Sequence, residues 1–225
     1  MSRPILIYGQ SGAGKSYSLH TLDPEKTFII DADKKGALPF EGAAELYTEK
    51  NFFPVNSLDT IQKCIVKVGT DEKFAHIENL VIDGISKALT VYEATYNRRN
   101  NPKNKFEAYQ MLKEKAVDLF DTAKDQRKNL NVIFIGNVQL GDPFQNNSVD
   151  RLKVPGNYLK DYEVESDFNY VFYAKIIEDE HVFETFPNKS TAKTPENCFP
   201  ELVANDLNAV IQTINAYEKR KKVTE

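Results

Sequence analysis

The sequence predicts a three-layer α/β sandwich around a mostly parallel central sheet, on three observations. Short runs rich in β-branched and aromatic residues alternate with stretches of helical periodicity. The first four runs are continuously apolar rather than alternating, as strands covered on both faces must be. The first run also passes directly into a glycine-rich turn, the way a strand hands the chain to a site at the carboxyl edge of such a sheet.

Strands are expected at Ile5–Tyr8, Thr27–Ile30, Leu80–Ile82, Asn131–Ile135, Asn169–Ile177 and Val182–Phe186, each bounded by turn residues. A short helix is expected over Lys15–Leu22 and an amphipathic one over Leu58–Val68. A longer helix over Phe106–Lys128 aligns Tyr109, Leu112, Ala116, Leu119, Phe120 and Ala123 on one face. At the C-terminus Leu207, Val210, Ile211, Ile214 and Tyr217 recur at helical spacing behind the capping pair Asn205-Asp206. Lys219-Arg220-Lys221-Lys222 suits the negative end of that helix and reads as a solvated tail. Right-handed crossovers between such strands and helices give the layered sandwich. One domain over residues 1–225 is expected, with the C-terminal helix and basic tail in 205–225.

The chain has 225 residues, enough for one sizeable core, and its 41% hydrophobic and 28% charged content is ordinary for a globular domain. A net charge of −4 excludes a global pull toward nucleic acid or anionic membrane, so any such binding needs a local basic patch. Cys64 and Cys198 lie far apart, and His20, His76 and His181 are scattered without metal-ligand spacing. Charged or polar residues interrupt every hydrophobic run, so a cytoplasmic protein with reduced thiols and no membrane partner is expected.

The turn after the first strand reads Gly9-Gln10-Ser11-Gly12-Ala13-Gly14-Lys15-Ser16, with Tyr17 next, and completes the pattern Gly-x-x-x-x-Gly-Lys-Ser/Thr. A nucleoside triphosphate is a cluster of negative charge, and holding it needs many inward donors in a small space. Glycines let the backbone wrap until successive N–H groups aim at the phosphates, and a following helix would add its positive end. Lys15 is expected on the β/γ-phosphates and the Ser16 hydroxyl on Mg²⁺, so the chain is expected to bind ATP or GTP.

Hydrolysis needs further groups, and the residues that end the other strands are the candidates. Leu80-Val81-Ile82-Asp83 ends in a carboxylate, the Walker B pattern, and Asp83 is expected to hold Mg²⁺. Asp31 and Asp33 follow another strand; alternation sets them on one side of an extended chain, with Asp33 preferred as the group that activates water. Asn137 ends Val132-Ile133-Phe134-Ile135-Gly136 and is the candidate sensor of the γ-phosphate.

These four segments, in this order, resemble the RecA-like branch of P-loop ATPases, most closely at Phe28–Leu38 and over Ile82-Asp83-Gly84-Ile85-Ser86-Lys87-Ala88-Leu89. By that resemblance Asp33 stands where RecA proteins carry a catalytic glutamate, one methylene longer, and Asn137 where they carry a glutamine switch. The chain is also similar to small phage-encoded RecA-core ATPases associated with single-strand annealing and recombination. That likeness rests on Asp33-Lys34-Lys35-Gly36-Ala37-Leu38-Pro39-Phe40, on Ser190-Thr191-Ala192-Lys193-Thr194-Pro195 and on Asn205-Asp206-Leu207. It implies a bare core without the polymerisation segment or C-terminal domain of full-length RecA, and the cytoplasm of a host cell as its location.

The resemblance also points to two stretches as loops that grip single-stranded DNA. Tyr92–Phe106 holds Arg98, Arg99, Lys103 and Lys105 with Tyr96 and Phe106; Leu140–Tyr162 holds Arg151, Lys153 and Lys160 with Phe144, Tyr158 and Tyr162. Cations for the backbone beside aromatics for the bases is the composition such sites use. RecA-like cores complete their sites across a subunit boundary, so a homo-oligomer, ring or filament, is implied, with Lys175 and Lys193 as candidate trans-acting cations.

The function expected is an ATP- and Mg²⁺-dependent ATPase that binds single-stranded DNA and supports phage-type recombination or strand annealing, with a single-strand DNA-binding protein as a further partner. The alternatives are a small-molecule or nucleotide kinase, and a nucleotide-gated DNA-binding module with negligible hydrolysis. Six scattered arginines, with Arg98-Arg99 the sole adjacent pair, make a poor phosphotransferase lid, and no Asn-Lys-x-Asp motif is present to read guanine.

Overall fold

The structure, a computed structural model, describes residues 1–100, 105–145 and 148–224, leaving aside the side chains at 100, 105, 157, 158, 160 and 222–224. Its strands are β1 (Arg3–Gly9), β2 (Thr27–Asp31), β3 (Phe52–Pro54), β4 (Asn79–Asp83), β5 (Asn131–Gln139), β6 (Arg151–Leu152), β7 (Tyr170–Ile177), β8 (Glu180–Glu184) and β9 (Leu202–Ala204). They form one sheet in the order β3-β2-β4-β5-β1-β7-β8-β9, with β6 paired to β5. From β3 to β7 neighbouring strands run parallel; β7, β8 and β9 continue antiparallel, as does β6 against β5. The helices are α1 (Ala43–Leu46), α2 (Leu58–Thr70), α3 (Ile85–Asn100), α4 (Lys105–Lys124), α5 (Asn157–Tyr162) and α6 (Leu207–Thr224).

Alternation along the strands sorts the apolar side chains into two cores. Leu6, Tyr8, Leu80, Ile82, Val132, Phe134 and Val171 pack with α2, α3 and α4 on one face. Ile5, Ile7, Val81, Ile133, Ile135 and Phe172 pack with Leu207, Val210, Ile211 and Ile214 of α6 on the other. The mostly parallel three-layer sandwich is therefore the observed architecture. Phe120, Phe134 and Phe168 meet edge to face, with centroids 5.3–5.6 Å apart, and close the first core.

Several expectations change. The helix expected over Lys15–Leu22 is a 3-10 turn confined to Tyr17–Thr21. Within it the Ser18 and Thr21 hydroxyls bond the carbonyls of Lys15 and Ser18, while the His20 ring meets that of Tyr17, so side chains compete for the groups a helix would use. Residues 92–100, expected as the start of a loop, belong to α3; Ile85, Ala88 and Leu89 are buried and anchor its first turns. The basic run at 219–222 continues α6 rather than forming a tail. The short strands β3, β6 and β9 add to the expected set, and β8 ends at Glu184 rather than Phe186.

Candidate functional site

Register across the sheet assembles the site. Ile7, Ile135, Asp83 and Asp31 stand at one level on four adjacent strands, and Gly9 pairs with Asn137 two residues further on. Because β5 lies between β1 and β4, two strand spacings, about 10 Å, separate the glycine-rich turn from Asp83, with Asn137 rising between them. A cavity of about 370 Å³ opens there. Ser11, Gly12, Gly14, Lys15, Ser16, Tyr17, Asp33, Lys35, Asp83 and Asn137 all line it.

Lys15 is almost fully buried and donates to the carbonyls of Gly9 at 2.9 Å and Gln10 at 2.6 Å. Desolvation pulls its ammonium down to about 8, and the nearby Asp83 carboxylate opposes that shift. Gly9, Gln10 and Ala13, expected among the nucleotide contacts, are not in the cavity lining. The first two hold Lys15 and Ala13 packs into the second core. Gly12 and Gly14 take φ of 84° and 86°, values that a side chain would strain.

Asp83 ends β4, is 7% exposed and lines the cavity with Ser16. Burial pushes its carboxyl up to about 6; the Ser16 hydroxyl and the Lys35 ammonium work against that rise. One hydroxyl beside one carboxylate fits a hard divalent cation that completes its shell with phosphate oxygens and water, as Mg²⁺ does. Among the described residues no cluster of three or more His, Cys, Asp or Glu could cage a metal alone.

Asp31 and Asp33 part company. The strand ends at Asp31, so alternation stops there. The Asp31 carboxylate turns back to accept the Gly36 N–H at 2.8 Å, while Asp33 goes on to the cavity. Asp33 pairs with Lys35 at 2.7 Å. Asn137 lines the cavity, and its N–H donates to the Ser86 hydroxyl at 3.1 Å.

Lys35, Gly84 and His181 were not singled out from the sequence. Lys35 carried a signal, a cation two residues from Asp33 in a turn closed by glycine. His181 comes from β8 through the sheet order, which the sequence does not display.

The basic residues lie elsewhere. Arg98 and Arg99 are exposed on the last turn of α3, where Arg99 lines a groove with Tyr92 and Tyr96. Arg151 sits in β6 opposite Gln139, and the Lys153 N–H donates to the Asn137 carbonyl at 2.7 Å. Lys103 lies outside the described residues, as do the side chains of Lys105 and Lys160. Lys175 is held by the buried carboxylate of Glu184, and the backbone of Lys193 bridges to Val171; neither lysine lines the cavity.

A parallel sheet whose first strand ends in a lysine-bearing glycine turn, with a carboxylate two strands away, defines the phosphate-loop nucleoside triphosphatase class. The AAA domain model matches residues 1–198, and the chain belongs to that family of nucleotide-binding ATPase domains. No curated protein matches it. Among the described residues no helix is long and apolar enough to cross a membrane.

Proposed function

We propose that this chain is a RecA-like core that hydrolyses ATP, binds single-stranded DNA and supports phage-type recombination or strand annealing. The observation that carries the ATPase reading is the convergence of Lys15, Ser16, Asp83, Asp33 and Asn137 on one cavity. Lys15 leaves the Gly9 and Gln10 carbonyls for the β- and γ-phosphates, with the loop N–H groups around them. Ser16 and Asp83 would hold Mg²⁺, which would supply positive charge against the phosphate oxygens. Asp33 accepts a proton from water as that oxygen bonds to the γ-phosphorus and the bond to the leaving ADP breaks. Asn137 hydrogen-bonds the γ-phosphate.

The loop beyond Asn137 supports the DNA reading. Phe144 is 94% exposed there, Arg151 follows on β6, which returns to β5, and Lys153 comes directly after that strand. A stacking ring beside backbone cations suits a single strand. The proposal takes residues 1–225 as one domain of a cytoplasmic ring or filament, with Lys175 or Lys193 reaching a neighbouring site and a single-strand DNA-binding protein as accessory partner. The Asp33–Lys35 ion pair favours a second reading, a nucleotide-gated DNA-binding module with negligible turnover.

ATP turnover measured with and without single-stranded DNA, alongside a mobility-shift titration at two salt concentrations, separates them. Stimulated hydrolysis and salt-sensitive binding are expected. Tight ATP binding without turnover selects the second reading, and absence of any shift removes the DNA role.

A further inference from the structure

The carboxylate assigned to water activation is already engaged. The Lys35 ammonium stands 2.7 Å from an Asp33 oxygen, and both side chains line the cavity that Lys15 and Ser16 line. The local backbone builds this pair. Lys34 takes φ of 56° and Gly36 of 74°, the Lys34 N–H reaches the Asp31 carbonyl at 3.4 Å, and the Asp31 carboxylate holds the Gly36 N–H. Asp31 is thus the clasp of a tight turn that carries Asp33 and Lys35 to one cavity.

The two partners differ in freedom. The Asp33 side chain is 19% exposed and packs where Gly84 leaves room for it, whereas that of Lys35 is 63% exposed on a four-carbon stem. An ion pair with one partner so exposed adds little stability and is readily broken. Lys35 also repels Lys15 across the cavity and helps to hold its ammonium down. A polyphosphate between the two lysines would turn that repulsion into shared attraction. While Lys35 stays on Asp33, its ammonium occupies a carboxylate oxygen that would otherwise take the proton of water.

We propose that Lys35 is a latch read by the γ-phosphate. Without a triphosphate its ammonium holds Asp33. When a nucleoside triphosphate fills the cavity the ammonium moves to a γ-phosphate oxygen and leaves Asp33 free to take the proton of the attacking water. A diphosphate offers no such oxygen, so the latch stays closed with ADP. The idea rests on the ATPase reading above and adds to it a residue that tells ATP from ADP.

The test uses the full chain with Mg²⁺ and two probes, ADP and a non-hydrolysable ATP analogue with an imido bridge. Lys35→Ala is expected to weaken analogue binding about tenfold and ADP binding less than about twofold, the loss of one charge-assisted contact to the γ-phosphate. Turnover falls by a similar factor, and Lys35→Arg recovers most of both. Equal weakening for the two nucleotides overturns the latch, and so does turnover that rises in Lys35→Ala, since a permanent shield would behave that way. If the unaltered protein binds neither nucleotide, the nucleotide reading itself falls and takes the latch with it; normal turnover by Asp33→Asn overturns the assignment of the base.

Discussion

Asp33 occupies the space that a side chain on Gly84 would need. The Asp33 carboxyl carbon stands 2.7 Å from the position of a Gly84 Cβ, and Gly84 has φ of 101°. The residue after the candidate metal ligand thus sets where the candidate base can sit. Gly84→Ala should cost about 1–3 kcal/mol, from backbone strain together with displacement of Asp33. ATP binding through Lys15 should survive, while turnover falls by about a hundredfold, the usual penalty for moving a reacting group by an ångström. Thermal unfolding and steady-state turnover check the two halves separately. A folded Gly84→Ala variant with unchanged turnover would show that Asp33 does not act on the attacking water.

Lys15 bears on binding more than on folding. Without a phosphate its ammonium makes do with two backbone carbonyls, a modest return for burying a charge. Lys15→Ala should therefore leave the melting temperature within a few degrees of the original. Affinity for ATP should fall at least a hundredfold, about 3 kcal/mol or more, because the triphosphate loses its central cation. Direct nucleotide titration reads this; affinity close to that of the unaltered chain would refute the site.

Asp83 works against folding, and pH exposes it. Its carboxyl is raised to about 6 in the folded chain against an ordinary 3.8. Between pH 4 and 6 the unfolded chain therefore releases this proton while the folded chain keeps it. Stability falls as pH rises through that window, and the loss is complete above about pH 6. Two pKa units correspond to about 3 kcal/mol. In metal-free buffer Asp83→Asn should be more stable than the unaltered chain at pH 7, by about 1–3 kcal/mol, with the gap closing toward pH 4. Urea unfolding at both values measures it. A gap that does not vary with pH would assign the burial cost to something other than this carboxyl.

What could be read from the chain, and what could not, follows from where the information lies. The phosphate loop and Asp83 were legible because each is contiguous and directly follows an apolar strand, so local pattern and function coincide. α3 was not, because its second half bears Asn97, Arg98 and Arg99 with little to bury; packing at Ile85, Ala88 and Leu89 fixes the helix and the polar end follows. β3 contains Pro54, which argues against a strand, but at the sheet edge its missing N–H goes unneeded. The roles of Asp31 and Asp33 could not be separated, because alternation assumes a strand that in fact stops at Asp31. Lys35 reaches the cavity through a turn with positive φ, signalled only by its place two residues after Asp33, and His181 through the strand order, which leaves no signature in residue spacing.

Asp150 ties the loop beyond Asn137 to the strand that carries the phosphate loop, and its removal is the sharpest test of whether the two communicate. One carboxylate oxygen accepts the Gly141 N–H and the other the Tyr173 hydroxyl, both at 2.8 Å, while its carbonyl accepts the Tyr8 hydroxyl at 3.1 Å. Tyr8 and Tyr173 stack with centroids 5.0 Å apart, and Tyr8 immediately precedes Gly9. Asp150 therefore closes the loop at its base and fastens it to the first residue before the glycine turn. Asp150→Ala leaves the Tyr173 hydroxyl and the Gly141 N–H without this acceptor and should cost about 2–4 kcal/mol; Tyr173→Phe, which removes one donor, should cost about 1 kcal/mol. Amide hydrogen exchange should quicken across residues 140–145 and 148–152 in Asp150→Ala and remain unchanged in α6, whose buried residues pack in the second core. If the loop holds its protection, pairing between β5 and β6 is what orders it, and a signal from the nucleotide must then travel through Asn137, whose carbonyl holds the Lys153 N–H, rather than through Tyr8.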